Sequence, residues 1–160
     1  MKKSLVKIDR EFRQHWKNYL LQSILATFSI FIVLYFLSLK HVVIIASIGA
    51  TTFIIFAMPN SITAQPRNVI GGQLVGLFFG FLFFLFPPFP QCLIVAYALA
   101  VGASIFTMVV IDAEHPPAAG TALGVAITGI TLKVFVAIIV SIILLSLIHV
   151  FFKSYIRDLT

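Results

Sequence analysis

The sequence has 160 residues, of which 61% are hydrophobic and only 10% are charged. A soluble domain carries about a quarter charged residues. This much apolar surface cannot be buried in one small core, so the chain is predicted to be an integral membrane protein. The formal net charge is +6 and arises mostly near the N-terminus. In a membrane protein such a cluster orients the chain and contacts lipid headgroups, so nucleic-acid binding is not expected.

The first predicted element is a basic amphipathic helix over residues 1–19. Its apolar side chains recur at a spacing of three or four, at Leu5, Ile8, Phe12, Trp16 and Tyr19, and Lys3, Lys7, Arg10, Gln14 and Lys17 fall on the opposite face. Such a helix lies in the membrane interface, with its aromatic rings at headgroup depth. The alternative is that these residues form the polar start of the first span.

Six apolar segments follow and predict an all-α, multi-pass transmembrane bundle over residues 20–152. They cover about 20–39, 42–58, 69–86, 92–111, 118–130 and 134–152. The fifth segment is too short to cross a core of about 30 Å upright, because a span needs about 20 residues. The chain therefore crosses four to six times. If the chain crosses only four or five times, the short segments are half-helices that enter the membrane and return at two proline-containing breaks, where they line a cavity.

The distribution of lysine and arginine predicts the orientation. If all six segments cross, the N-terminus, the loop with Arg67, the break at 112–117 and a short tail at 153–160 share one side. Lys and Arg concentrate on the cytoplasmic side of a membrane. We therefore expect a protein of the cell membrane with both termini in the cytoplasm.

The break after Ile111 is the most informative stretch of the chain. It places Asp112, Glu114 and His115 directly before Pro116 and Pro117. Ionisable residues inside a membrane domain are costly to maintain and mark functional sites. Histidine titrates near neutral pH, so His115 is a candidate for gating or proton coupling. The alternative is that it caps the following helix or fixes the local structure.

A second proline-containing break occurs at Gln65-Pro66-Arg67-Asn68. The apolar stretches before the two breaks share a weak repeat, Gly49–Phe53 and Gly102–Phe106, which chance similarity between glycine- and alanine-rich helices explains equally well. Paired interrupted segments point to a transporter site. Proline is favoured in the first turn of a helix, so new helices are predicted to start near Arg67 and Pro117.

These helix starts predict a site for a small anion. Helix N-termini present free N–H groups and partial positive charge, and Arg67 adds planar donors that match an oxyanion. Asn68 lies beside it, and Ala118 and Gly120 are small enough for a ligand to approach the backbone. An ordinary topology-determining charge is an equally good explanation for Arg67.

The acids support a competing hypothesis. Asp112 and Glu114 would repel an anion unless they are paired with Arg67, protonated or directed at bulk water, so they could instead attract a cation or metal to a permease. No closed metal site is predicted, because three ligand types within four residues followed by proline have poor geometry. The chain contains no nucleophile elbow, phosphate loop or zincin motif, so we expect no enzyme activity and no cofactor.

Glycine recurs at four-residue spacing on two of the segments. Gly72, Gly76 and Gly80 lie on the third segment, and Gly120 and Gly124 lie on the fifth. This spacing allows helices to approach closely. We interpret these residues as helix-packing positions within the fold or at an oligomer contact. A homo-oligomer is predicted, because a chain this short has few transmembrane helices with which to enclose a pathway.

The chain resembles the HPP family of integral membrane proteins. The resemblance rests on His115-Pro116-Pro117 with the following Ala118–Ala122, supported by Gln65–Gly72 and by Gly49-Ala50. It implies a multi-pass helical membrane protein, usually described with four spans, and a transporter. Some members are linked to nitrite transport. Some relatives carry a soluble regulatory domain after the membrane region, which is not expected here after Thr160.

The leading hypothesis is passage of a small inorganic anion, with nitrite implied by the resemblance. Arg67 and the helix start after Pro117 attract the anion, and His115 gates the path or couples protons to it. The alternatives are a cation or metal permease built on Asp112 and Glu114, and a non-transporting membrane scaffold or sensor subunit.

Overall fold

The computed structural model describes residues 2–36, 42–86 and 93–159, with side chains described for 13–31, 43–86 and 93–159. Within these residues the chain forms six α-helices and no strand: α1 (Lys2–Phe36), α2 (Val42–Ala57), α3 (Pro66–Leu85), α4 (Leu93–Val110), α5 (Pro117–Thr128) and α6 (Leu132–Phe152). A 3₁₀ turn, Ile62–Ala64, lies between α2 and α3. The predicted all-α bundle is confirmed. The intervals between the predicted segments at 40–41 and 87–91 lie outside the described residues.

Helix α1 runs through both the predicted interfacial helix and the predicted first span. Its backbone leaves helical geometry at His15, with φ −126° and ψ 18°. This kink lies four residues before the predicted boundary at residue 19. Placement of the first part of α1 in the membrane interface stays a prediction.

Helix length separates the described spans into two groups. Helices α3, α4 and α6 are long and apolar enough to cross a membrane, whereas α2 and α5 are shorter apolar helices. Helix α5 has 12 residues and is therefore about 18 Å long, at 1.5 Å per residue. That is less than a hydrocarbon core of about 30 Å.

Proline and glycine set the ends of the short helix and its neighbours. Helices α3 and α5 begin at Pro66 and Pro117, where the missing N–H costs no hydrogen bond. Helix α5 ends at Gly129, whose φ of +68° and ψ of −173° are accessible almost only to glycine. Thr131 then caps α6, because its hydroxyl oxygen accepts a hydrogen bond from the N–H of Val134 at 3.4 Å.

Helix α5 lies at the centre of the bundle, between α2, α3 and α4. It runs parallel to α3, since Gly72 lies beside His115, Gly80 beside Ala122 and Gly129 beside Phe84. It runs antiparallel to α2, because Gly124 lies beside Ile44 and Gly120 beside Ser47. The end of α5 therefore lies level with the end of α3. Together with the break before it, the short helix passes from one end of the bundle to the other instead of returning.

The predicted glycine positions form the closest contacts of this centre. A Cβ atom added to Gly80 would lie 2.7 Å from the carbonyl oxygen of Ala122, and one added to Gly124 would lie 2.7 Å from a side-chain carbon of Ile44. Gly76 packs still more tightly against the backbone of Ala118. The structure therefore uses the stripe on α3 and the pair on α5 for packing within one chain.

Four separate parts of the chain meet at one end of the bundle, which we call the charged end. They are residues 15–22 of α1, the loop 58–65, the break 111–116 and the segment 153–159 after α6. Asn18 donates to the carbonyl of Tyr155 at 3.4 Å, Asn60 contacts Asp158, and Arg67 contacts Asp112. These are the parts that the arrangement of lysine and arginine assigns to one side.

Candidate functional site

The site is built on the break 111–116, which enters the bundle from the charged end. Helix α4 ends at Val110, and Asp112 then adopts a left-handed φ of +55°, a conformation that aspartate tolerates better than most residues. The backbone turns here and runs along α3. A Cβ atom on Gly71 would lie 3.2 Å from that of Ala113, and one on Gly72 would lie 2.5 Å from that of His115. Glycine at position 72 is therefore what allows the histidine to lie against α3.

This course places His115 well inside the bundle. Gly72, which lies beside it, follows Arg67 by five residues on the same helix, a rise of about 7.5 Å along the axis. The side chain of His115 is fully buried. Non-helical backbone at such a depth is tolerated where protein surrounds it, and α2, α3 and the loop 58–65 provide that surrounding here.

The hydrogen bonds of His115 fix its neutral tautomer. Its Nδ1 lies 2.9 Å from the carbonyl oxygen of Thr63, which can only accept, so Nδ1 carries the hydrogen and donates. Its Nε2 lies 2.8 Å from the hydroxyl oxygen of Thr51. In the neutral ring Nε2 has a lone pair, so the hydroxyl of Thr51 donates to it.

Thr51 connects the histidine to a wider polar cluster. The Nε2 of Gln73 donates to the Thr51 hydroxyl oxygen at 3.2 Å. The carbonyl oxygen of Gln73 accepts from the hydroxyl of Thr121 at 2.7 Å. Ser47 lies 2.7 Å from the hydroxyl oxygen of Thr121 and donates to the carbonyl of Pro117. We call His115, Thr51, Gln73, Thr121 and Ser47 the buried polar cluster.

Helices α2, α3 and α5 and the break each contribute to this cluster. His115, Thr51, Gln73 and Thr121 have no solvent-accessible surface, and Ser47 is 4% exposed. Buried polar groups are costly unless they are hydrogen-bonded to one another. The cluster meets that condition, and its four innermost members are shielded from solvent.

The charged residues lie outside the cluster, at the mouth of the break. Arg67 donates from Nη1 to the carboxylate of Asp112 and from Nη2 to the carbonyl of Ile111, each at 3.1 Å. The side chains of the pair are 67% and 66% exposed. Asn68 is buried and donates to the carbonyl of Glu114 at 3.2 Å. The arginine therefore neutralises Asp112 at the surface, while His115 lies deeper.

The start of α5 differs from the anion site that the sequence predicted. Pro116 and Pro117 have no N–H group. The N–H of Ala118 donates to the carbonyl of His115 at 2.9 Å, and that of Ala119 donates to the carbonyl of Pro116 at 3.2 Å. These groups close the first turn of the helix and are not directed at a ligand. Gly120 lies against Ser47, so its small size serves contact with α2.

Sequence reasoning did not select Ser47, Thr51, Thr63 or Gln73. Gln73 is an amide in the middle of an apolar segment, a cost that signals a partner and could have drawn attention to it. Thr51 lay within the weak repeat but was not assigned a role. No periodic pattern marks such residues. The hydrogen-bond partner of a polar side chain in an otherwise apolar helix lies on a neighbouring helix, so its role is recognised only when the packing of the helices is known.

The described residues include no group of three or more His, Cys, Asp and Glu side chains that could hold a metal ion. The cation hypothesis needs Asp112 and Glu114 to act together. The structure instead pairs Asp112 with Arg67, and it uses Glu114 through its backbone carbonyl, which accepts from Asn68.

Comparison with known proteins identifies the family. The family model described as HPP, transmembrane region, matches residues 11–159. The chain belongs to this family. The HPP match covers most of α1, all of α2 to α6 and both breaks, so the resemblance expected from the His-Pro-Pro block is confirmed. A membrane protein is thereby established.

A transmembrane protein of Dictyostelium discoideum is similar to part of this HPP chain. It is 39% identical over 82 residues, which are 51% of this chain and 29% of the relative. The matched region is therefore less than a third of that protein's length. No solved structure matches the chain.

Proposed function

We propose that this chain is a membrane transporter or channel for a small inorganic anion, with nitrite as the candidate that the family resemblance suggests. The observation that supports the proposal is the buried polar cluster at the centre of the bundle. Its hydroxyl, amide and imidazole groups can donate hydrogen bonds to an anion without carrying a permanent charge. Polar groups maintained at such a cost inside a membrane domain are typical of a permeation path.

Protonation of His115 gives the cluster a second stable hydrogen-bond arrangement. When Nε2 gains a hydrogen, it donates to the hydroxyl oxygen of Thr51 instead of accepting from it. The Thr51 hydroxyl can then donate to the carbonyl of Ser47, which lies 3.1 Å away. Nδ1 continues to donate to Thr63. The hydrogen bonds of the cluster can therefore be satisfied in both charge states. Burial disfavours a cationic ring without a counter-charge, so the ring takes up its proton together with an anion, which couples anion passage to a proton.

The mouth of the break supplies the outer part of the path. Arg67 faces solvent and draws anions toward it, and Asp112 moderates this attraction through the ion pair. Because Asp112 is neutralised in this way, an anion is favoured over the cation of the competing hypothesis. Transport by a binding and gating mechanism, and not catalysis, is proposed for the cluster.

The test is flux into proteoliposomes that contain the purified protein, with nitrite, nitrate, formate and chloride compared at two pH values. Thr51→Val removes the hydroxyl between His115 and Gln73, and we expect anion flux to fall by about tenfold and to lose its pH dependence. His115→Ala is expected to do the same. Thr52→Val is the matched control: Thr52 is also buried in α2, and its hydroxyl donates to Ile48 of its own helix.

The outcomes separate the hypotheses. Saturable anion flux that Thr51→Val reduces and Thr52→Val leaves within about twofold supports the proposal. Equal effects of the two variants would remove the cluster from the path. Competition by cations instead of anions would favour a cation permease, and absence of any flux from folded protein would favour a scaffold.

We also propose an orientation and an assembly for the protein. The charged end holds Arg67, Lys153 and Arg157. Because Lys and Arg concentrate on the inner side of a cell membrane, we expect both termini to lie in the cytoplasm. Helix α4 has the smallest buried share of the three long spans, 22% against 39% and 44%. We expect copies of the chain to associate through the exposed apolar side chains near the start of α4, such as Ile94.

A further inference from the structure

The segment 153–159 folds back onto the charged end of the bundle, and we call it the latch segment. Ile156 is 5% exposed although its neighbours face solvent. Gln22 of α1 donates to the carbonyl of Arg157 at 2.9 Å, and Leu159 donates through its N–H to the carbonyl of Ala57 at 2.9 Å. The segment therefore contacts both α1 and the end of α2.

Asp158 makes the contact that matters for the loop 58–65. One carboxylate oxygen accepts from the backbone N–H of Asn60 at 3.0 Å, and the other accepts from the side-chain amide of Asn60 at 3.1 Å. The carbonyl of Pro59, the preceding residue, accepts from Nε2 of His149 at 2.8 Å. The start of the loop is thus held by α6 and by the latch segment together.

The other end of this loop holds His115. Asn60 is three residues from Thr63, whose carbonyl fixes Nδ1 of the histidine. The residues between them form a compact turn: Thr63 donates through its N–H to the Ser61 hydroxyl oxygen at 3.3 Å, and Ala64 donates to the Ser61 carbonyl at 3.1 Å. Because the turn is held by these hydrogen bonds, a displacement of Asn60 also displaces the carbonyl of Thr63.

We infer that Asp158 is a positioning residue that latches the loop 58–65 over His115 and thereby keeps the buried polar cluster closed. The latch is suited to reversible release, because Asp158 and Asn60 are exposed and exposed polar contacts contribute little stability individually. Release withdraws the Thr63 carbonyl and exposes His115 to the charged end. The effect of the latch on anion flux rests on the proposed function, whereas the latch itself does not.

Amide hydrogen exchange of the purified full-length protein tests the latch without reference to transport. The amides of Ser61, Ala64 and Gln65 are hydrogen-bonded within the turn, so peptides covering 59–65 report its opening. We expect Asp158→Ala to speed their exchange by about fivefold or more and to leave exchange in α4 unchanged. Lys153→Ala is the matched control, since Lys153 is an exposed charged residue of the same segment.

A pair of exchanged residues provides the rescue. Asn60→Asp opposes two carboxylates and weakens the latch, whereas Asp158→Asn keeps both hydrogen bonds if the amide of Asn60 turns over so that its oxygen accepts. In the double variant Asn60→Asp/Asp158→Asn the backbone N–H of residue 60 still donates to the side chain at 158, and the side chain–side chain hydrogen bond is restored with donor and acceptor exchanged. The exchange rate of the double variant is expected to return to within about twofold of the parent.

The same variants are then assayed for anion flux and its pH profile in proteoliposomes. The inference predicts faster flux with a shifted pH profile in Asp158→Ala, and recovery of both in the double variant. Unchanged exchange at 59–65, equal loss of protection throughout the bundle, or no recovery in the double variant would overturn the latch. Absence of flux in the parent, with the predicted exchange, would overturn the proposed transport and leave the latch standing.

Discussion

Replacing Gly80 with alanine is expected to destabilise the bundle by forcing α3 away from α5. The new Cβ atom would lie 2.7 Å from the Ala122 carbonyl oxygen, 2.7 Å from the Val125 Cβ and 3.1 Å from the Ala122 Cα. Two of these atoms belong to backbone and the third is a β-branching carbon, so none can rotate away. The helices must separate by several tenths of an ångström at the centre of the bundle.

Gly102 provides the matched control for the magnitude. It lies in the middle of α4, is exposed, and has no atom within 4 Å of an added Cβ. Both substitutions gain about 1 kcal/mol of helix propensity, which cancels when the two variants are compared. Overpacking a tight interface costs about 1–3 kcal/mol, so the difference between the variants measures this packing term alone.

The assay is thermal unfolding of both variants in the same detergent, followed as loss of monodisperse protein in size-exclusion chromatography. For a chain of this length about 1 kcal/mol corresponds to about 2–4 °C in Tm. A cost in the middle of that range, about 2 kcal/mol, predicts that Gly80→Ala unfolds about 4–8 °C below Gly102→Ala. Gly102→Ala is expected to equal or exceed the parent. Equal midpoints for the two variants would refute the contact between α3 and α5 on which the cluster geometry depends.

Two further predictions concern the mouth of the site and the end of α5. Arg67→Ala is expected to change the free energy of unfolding by less than about 1 kcal/mol, because the pair with Asp112 is exposed. Arg67→Ala is also expected to lower the initial rate of anion flux, and Asp112→Asn is expected to raise it. If both variants change the initial rate in the same direction, electrostatic attraction of anions at the mouth is excluded. Gly129→Ala is expected to cost about 2–4 kcal/mol, because φ is +68° and the new Cβ would lie 2.6 Å from the Phe84 ring. Thermal unfolding checks it: adding Phe84→Ala should recover only part of the loss, and complete recovery would show that the backbone is not strained.

The sequence predicted most of the fold because the helix limits depend on local chemistry. Segments expected at 42–58, 92–111 and 134–152 are observed as α2, α4 and α6 within about two residues. Proline correctly marked the start of α5, and the third helix begins at Pro66, slightly before the predicted position. Apolar run length, proline and glycine act over a few residues, so they can be read without knowledge of the tertiary structure.

The candidate site was predicted only in part, because its residues are far apart in the chain. His115 was selected as an ionisable residue at a break, and the structure places it in a buried cluster. Arg67 was expected to act beside it but lies at the surface with Asp112. Thr51 and Gln73, which contact each other inside the bundle, were not selected.

The sequence by itself determines that this is a helical membrane protein of the HPP family, since composition, segment length and the His-Pro-Pro block are local properties of the chain. Only the tertiary structure decides which polar groups meet. Rotating an all-apolar helix by one residue, about 100°, leaves its sequence signal unchanged but directs Thr51 or Gln73 to a different neighbour. That rotation is set by close packing at Gly72, Gly80 and Gly124, where a methyl group would not fit.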